Sequence, residues 1–269
     1  MITFDKFLSL HTTTYPGKSA LIFNGKKFLY RDLNSRVNRL ANGLLDLGAE
    51  KGDRVGIIFP NIPEFVTVYF GIIRLGAVGV PLDIRLKGDE LIPILEDAEI
   101  RAVFILKDKF SEIQADLRQG EYLNTVVISG GEISGNYNLE AILKAEESLT
   151  LIDTEIYEGD EALYLYTSGT TGKPKGVIHS TGGYMVHNHA AYKWVFDIKE
   201  ESVYWCSADV GWVTGHSSIV YAPLAHGAAI VLYEGAPDYP TIDRWWEIIE
   251  KYGVTIFYTS PTAIRMFMG

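Results

Sequence analysis

Residues 163–180 read LYLYTSGTTGKPKGVIHS. An apolar run, Ala162 to Thr167, leads directly into ten residues of Thr, Ser, Gly, Lys and Pro. Gly169, Gly172 and Gly176 let the backbone take positive φ and come close to a ligand. Successive free N–H groups in such a bend make an anion-binding concavity. Thr167, Ser168, Thr170 and Thr171 add hydroxyl donors. Lys173 and Lys175 place positive charge in a chain whose formal net charge is −10, and Pro174 keeps the bend from collapsing on itself. Together these residues suit a polyphosphate held at the end of a core strand, where α/β sheets bind ligands. The spacing from Gly169 to Gly172-Lys173 is too short for the G-x-x-x-x-G-K-[ST] loop, and no G-x-G-x-x-G fingerprint occurs.

The pattern on either side predicts repeated β-α units. An Asn24-Gly25 hairpin is expected between SALIFNG and KKFLY. Leu33, Val37, Leu40, Leu44 and Leu47 predict an amphipathic helix stopped by Gly48. RVGIIFP is a strand, Pro63 to Leu75 a helix and AVGVPLD a strand; AVFILK and TVVISG follow further helices near 89–99 and 110–117. Such alternation implies a parallel sheet covered on both faces. Residues 130–160 read as a surface excursion with one short helix. Beyond the loop, AAIVLYE and VTIFYT are strands around a helix carrying Ile242, Trp245, Trp246, Ile249 and Tyr252, with both tryptophans expected in the core. Ser260 and Pro261 open a last helix.

Composition narrows the function classes. The negative charge speaks against nucleic-acid or anionic-membrane partners. The most apolar run, Phe65 to Ile73, is too short to span a bilayer, and the first residues show no signal-peptide pattern. The single cysteine, Cys206, excludes an internal disulfide and fits a reducing, cytoplasmic setting; it reads as a small buried hydrophobe. His187 and His189, two apart, are a poor metal pair on a helix. No zinc spacing and no glycosidase- or protease-like carboxylate pair is seen, so no protein-held metal is expected.

YTSGTTGKPKGV resembles the signature loop of the adenylate-forming superfamily, which includes acyl-CoA synthetases, peptide-synthetase adenylation domains and luciferases. STGGYMVHNHAAYKWVFD, YWCSADVGWVTGHSSIVYAPLAHGA, YEGAPDYPT and YTSPTAIRMFM resemble its acetyl-CoA synthetase branch; the first 130 residues are more similar to medium- and long-chain acyl-CoA ligases. The resemblance implies two doubly wound α/β lobes, one over about 50–198 and one combining about 10–48 with 203–269. It implies a chain ending before the family's β-barrel and C-terminal domain. It implies ATP, Mg²⁺ and coenzyme A as reactants and a small carboxylic acid as substrate. Thr167, Ser168, Gly169, Thr170, Thr171, Gly172, Lys173 and Lys175 would hold the ATP phosphates. Trp212, Val213, Thr214, Gly215 and His216 would line the acyl pocket and the thiol path.

Family members run to about twice this length. The family's Tyr-Gly-x-Thr-Glu motif and catalytic Lys would lie beyond residue 269, and PLDIRLKGDELIPILEDAE contains no counterpart of the coenzyme A adenine-binding insertion. The expectation is therefore an N-terminal portion completed by a complementary C-terminal polypeptide, or self-associating through uncovered apolar surface. Two other readings stay open: a non-catalytic nucleotide-binding chain that pairs with a complementary one, and an aryl- or amino-acid-activating ligase.

Overall fold

The structure, a computed structural model, describes residues 4–145, 154–167, 175–236 and 238–268. Its twelve described strands form two sheets. The five-stranded sheet has the order β12-β10-β11-β1-β2, with β1 Ser19–Phe23, β2 Lys26–Leu29, β10 Val203–Cys206, β11 Ala229–Leu232 and β12 Ile256–Tyr258. The seven-stranded sheet has the order β7-β6-β5-β3-β4-β8-β9, with β3 Arg54–Ile58, β4 Val78–Pro81, β5 Ile100–Leu106, β6 Thr125–Ser129, β7 Tyr137–Asn138, β8 Glu161–Thr167 and β9 Lys175–Ser180. Every pairing is parallel except β1 with β2 and β8 with β9. The β-α repeats give the expected parallel pairings, β1–β2 is the expected Asn24-Gly25 hairpin, and the antiparallel β9 is an addition at the edge of the larger sheet.

The helices sort into layers by what they bury. Between the sheets lie α1 (Phe4–Thr14), α2 (Tyr30–Asp46) and α3 (Pro63–Leu75). Their Leu8, Leu33, Val37, Leu40, Phe65, Val66 and Phe70 share one core with Leu21 and Ile230 of one sheet and Val55, Ile57 and Phe104 of the other. Every residue of α3 except Glu64 is buried, so the apolar run too short for a bilayer is a helix covered all round. Gly71 makes this possible, because a Cβ there would stand 2.5 Å from Leu40 Cδ2. Arg74, buried in the same layer, donates to Asn34 Oδ1 at 2.9 Å, to Ser9 Oγ at 3.3 Å and to Asn38 Oδ1.

On the outer face of the seven-stranded sheet, α4 (Gly88–Asp97) and α5 (Lys107–Leu117) bury Leu91, Ile94, Phe110 and Ile113 against Ile58, Val103 and Ile105. α6 (Leu139–Lys144) follows β7. α7 (Thr181–Val195) runs on from β9. After β10 the chain forms a helical segment: α8 (Val213–Gly215), a π-helical stretch His216–Tyr221, and α9 (Ala222–Ala225). α10 (Arg244–Tyr252) covers the outer face of the five-stranded sheet, where Trp245 and Ile248 meet Trp205, Ile22 and Val231. α11 (Pro261–Phe267) is capped by Ser260, whose Oγ accepts from Ala263 N. Strand β10 shows the alternation directly: Tyr204 and Cys206 face the central core and Trp205 the outer one.

Several expectations need correction. Ile242 lies outside α10 and is exposed, and Trp246 is 46% exposed rather than in the core. On a helix starting at Arg244, residues 245, 248, 249 and 252 share a face, and 246 falls about 100° away from it. The excursion at 130–160 carries the two-residue strand β7 as well as α6. Strand β9 and helix α1 are not predicted at all. Cys206 is buried as expected, and burial pushes its thiol up to about 11. No helix among the described residues is long and apolar enough to cross a membrane.

Candidate functional site

The strands fix where a ligand can sit. In parallel α/β sheets the carboxyl ends of the strands are open, because each chain turns there into a crossover. Here the carboxyl ends of both sheets meet over a cavity of about 930 Å³. Pro60 and Asn61 come from the end of β3, and Ile84 and Arg85 from just past β4. The other sheet supplies Ser207 and Ala208 after β10, Tyr233 and Glu234 after β11, and Thr259 and Ser260 after β12. Asn61 ties these ends together. Its Nδ2 donates to Ala208 O at 2.9 Å and to Tyr233 O at 3.4 Å, and its Oδ1 accepts from Val210 N at 2.9 Å. Beyond the strand ends the β10 and β12 strands stay coupled, through Ser207 Oγ and Thr259 Oγ1 at 2.6 Å.

The segment 209–216 forms one wall. Gly211 N donates to Asp209 Oδ1 at 2.7 Å, Trp212 N to Asp209 O at 3.2 Å and His216 N to Trp212 O at 2.8 Å. A Cβ at Gly215 would lie 1.8 Å from Asp209 O, so this tight turn accepts only glycine. Trp212, 46% exposed, lines the cavity together with Thr214. Thr214 also borders a second cavity of about 590 Å³, walled by Tyr184, His187 and Tyr192 of α7 and by Tyr258. Thr214 and Tyr258 line both spaces and so stand between them.

His216 goes elsewhere. The π-helical turn directs its ring inward, where it is fully buried among Phe65, Tyr69 and Tyr221, with centroid distances of 5.9, 4.4 and 5.0 Å. Neither ring nitrogen has a hydrogen-bond partner among the described residues. Burial pushes its pKa well below the ordinary value, so it is a neutral imidazole. It supports the Trp212–Gly215 wall from behind instead of facing either cavity.

Charge at the cavity is set by residues the sequence reading did not single out. Arg85 Nε donates to Asp83 Oδ1 at 2.8 Å, and this contact holds the Asp83 carboxyl below its usual range. The Arg85 side chain remains largely exposed. The carboxyl of Asp209, in the wall, is pushed up by burial. A lone cation a few residues past a strand carries no spacing signal, and only the fold reveals its position.

The structure describes only the flanks of the hydroxyl-rich stretch. Ser168, Gly169, Thr170, Thr171, Gly172 and Lys173 lie outside the described residues. Thr167 and Lys175 stand opposite each other at the open end of the antiparallel β8–β9 pair. Because β8 runs parallel to β4, its carboxyl end lies on the same side of the sheet as Arg85. Lys175 is exposed at the start of β9. Val213 opens α8. His187 and His189 both lie on α7 and diverge: His187 faces the smaller cavity, and His189 stacks on His226 with centroids 4.1 Å apart. No group of three or more His, Cys, Asp or Glu among the described residues could hold a metal ion.

A layered, mainly parallel α/β fold whose strand ends converge on a partly charged cavity is of the doubly wound kind, in which ligands bind beyond the carboxyl ends of the strands. The AMP-binding enzyme family model matches residues 8–269, and the chain belongs to that family. It is 41% identical over 266 residues to the acetyl-coenzyme A synthetase of Pyrobaculum aerophilum, a match covering 90% of this chain and 39% of that protein. With the acetyl-coenzyme A synthetase of Methanothrix thermoacetophila it shares 41% identity over 259 residues, again 90% of this chain and 39% of the other. The crystal structure of the anthranilate CoA ligase AuaEII in complex with anthranoyl-AMP superposes with a TM-score of 0.90 at 26% identity, covering 97% of this chain and 50% of that one. The chain thus spans about two fifths of the curated relatives it matches and half of the solved ligase.

Proposed function

We propose that this chain is the N-terminal part of an AMP-forming acyl-CoA synthetase, of the acetate-activating type, that joins a carboxylic acid to coenzyme A at the expense of ATP. A carboxylate oxygen attacks the α-phosphorus of ATP, the bond to the β-phosphate oxygen breaks and pyrophosphate leaves. The thiol of coenzyme A then attacks the acyl carbon and AMP departs with the bonding pair. Such chemistry needs reactants held in line and charge stabilised on phosphorus more than it needs a protein nucleophile.

The observation that carries this reading is the convergence of both sheets' carboxyl ends on one cavity, on the side where the β8–β9 hairpin opens into the hydroxyl- and lysine-bearing loop. Residues 167–175 cradle the β- and γ-phosphates, with Lys175 as a point charge. Arg85 adds a second exposed cation at the cavity rim. Trp212, Val213 and Thr214 border the acyl group and the thiol path, and Gly215 and His216 set the shape of that wall. Mg²⁺, when bound, would enter with the nucleotide and offset charge on its phosphates. The lobes are 50–198 and 10–48 with 203–269, and the substrate is a small carboxylic acid.

The test is calorimetric titration of the chain with MgATP. Binding is expected, and Lys175→Ala should weaken it about tenfold, the effect of one charge-assisted contact. No heat of binding, or an affinity unchanged by Lys175→Ala, would refute the assignment.

A further inference from the structure

The stretch FPNIP, residues 59–63, joins β3 to α3 and carries Asn61 on a stiff turn. Pro60 and Pro63 each hold φ at about −65°, and Ile62 N donates to Pro60 O at 2.8 Å. Phe59 and Ile62 bury their side chains in the inner core, and α3 beyond them is buried except at Glu64. A side chain on such a base has few places to go. Whatever it bonds is held where the seven-stranded sheet dictates.

All three partners of the Asn61 amide lie in loops of the five-stranded sheet. Ala208 O and Val210 N, at 2.9 Å each, flank Asp209 after β10, and Tyr233 O, at 3.4 Å, follows β11. Two carbonyls require two N–H donors, and one N–H requires an acceptor. A carboxamide carries that set on one carbon; a carboxylate, a hydroxyl or an aliphatic group does not. The grip falls at the root of the wall. Asp209 O accepts from Trp212 N at 3.2 Å, and Asp209 Oδ1 accepts from Gly211 N at 2.7 Å. Val210 seats its side chain in the inner core, and Gly215 closes on Asp209 O so tightly that no Cβ fits. The turn 209–215 is thus one unit, fastened on both sides of Asp209 by a group from the opposite sheet.

We propose that Asn61 is a positioning residue for the substrate wall: its amide sets where Trp212 and Thr214 stand over the cavity that the two sheets share. Asn61 acts through the backbone of residues 208–212. The acyl-contacting role of the wall rests on the synthetase reading; its fastening by Asn61 does not. The opposite view, in which the amide contributes stability alone, predicts a weaker fold with an unaltered wall.

The test follows the backbone ¹⁵N order parameters of the full 269-residue chain by NMR relaxation. In Asn61→Ala the backbone of residues 211–215 is expected to fall from the rigid range of about 0.85 to below about 0.6, with residues 65–75 of α3 unchanged. Asn61→Asp adds a pH readout. As a carboxylate it accepts from Val210 N but faces two carbonyl oxygens; as a neutral acid it regains one donor. Those oxygens and partial burial raise its pKa above the usual carboxyl value, so its wall should be mobile at about pH 8 and regain order toward about pH 5. If Asn61→Ala does not fold, Asn61→Ser, which keeps one donor and one acceptor, takes its place. Calorimetry then compares MgATP with N-acetylsulfamoyl adenosine, in which a sulfamate stands for the phosphate of acetyl-adenylate. Asn61→Ala should weaken the acetyl compound about tenfold more than MgATP, the worth of one contact. Unchanged order at 211–215, mobility in Asn61→Asp that does not depend on pH, or equal effects on both ligands would each overturn the proposal. Binding of neither ligand by the unaltered chain would refute the synthetase reading, and the order parameters alone would then decide the anchoring.

Discussion

The two sides of this molecule differ in how their sheet edges are made. At the β2 and β7 edges, exposed lysines and a two-residue strand end the sheets. At the β9 edge Val177 and Ile178 are exposed behind Lys175, and the three-residue β12 is half-buried beside α11, whose Ala263 and Phe267 pack on the outer core while Ile264 and Met266 are exposed. Both sides belong to one folded unit with a continuous inner core, so the difference is not one of folding quality. It is one of edge chemistry: charge and shortness on one side, exposed or half-buried apolar side chains on the other.

The largest effect is expected from moving one strand inward from the open edge. Leu165 of β8 stands opposite Val177 of β9 and is 2% exposed. Leu165→Lys would bury an unpaired charge and should cost more than about 4 kcal/mol, enough to prevent folding, as read by urea denaturation. Next, removing the guard from the β2 edge should make it sticky: Lys26→Val with Lys27→Ile is expected to convert a soluble species into concentration-dependent assemblies in sedimentation velocity. If that variant stays monodisperse, the lysines are not guards. Third, Ile178→Lys should change the stability of the isolated chain by less than about 0.5 kcal/mol. A large loss in the same denaturation experiment would mean that β9 is already packed in the chain alone.

The smallest effect concerns the interior beside α7. His226 stacks on His189, with Lys193 and His11 nearby, and burial lowers its pKa to about 4. The folded state therefore binds this proton less readily than the unfolded chain, whose histidine titrates near 6.5. Stability is full above that value and falls as pH drops from 6.5 toward 4. His226→Gln should flatten this acid limb slightly, leaving the parts due to His11, His189 and His216, whose pKa values are also lowered. Urea midpoints measured across that window check it; a limb left unaltered would remove His226 from the account.

These contrasts also show what the sequence could reveal. Helix α3, expected over about 63–75, is there; Pro63 stands at its first turn and Gly76, at φ +81°, ends it. Strands β3 to β6 are legible as short apolar runs between helical periods. The joining of the 19–29 hairpin to strands after residue 203 has no local signature and follows from the family resemblance. β9 escapes because it begins inside the lysine- and glycine-rich stretch and offers only Val177 and Ile178 as an apolar pattern. The site is legible only in part. Trp212 and Thr214 do border the cavity, but Asn61 and Arg85 are isolated polar residues at strand ends, and only tertiary structure brings them together. His216 reads as a pocket residue, yet a π-helical turn points it into the core, and periodicity of 3.6 does not anticipate that.

The account as a whole stands or falls on carboxylate-dependent exchange between ATP and labelled pyrophosphate, measured for the chain alone and for the chain mixed with the part of the Pyrobaculum aerophilum relative that lies carboxyl-terminal to the match. Exchange should be absent from the chain alone, present in the mixture with a small carboxylate such as acetate, and strongly reduced by Lys175→Ala. A mixture that binds MgATP but catalyses no exchange with any carboxylate would contradict the assignment of this chain to an acyl-adenylating enzyme.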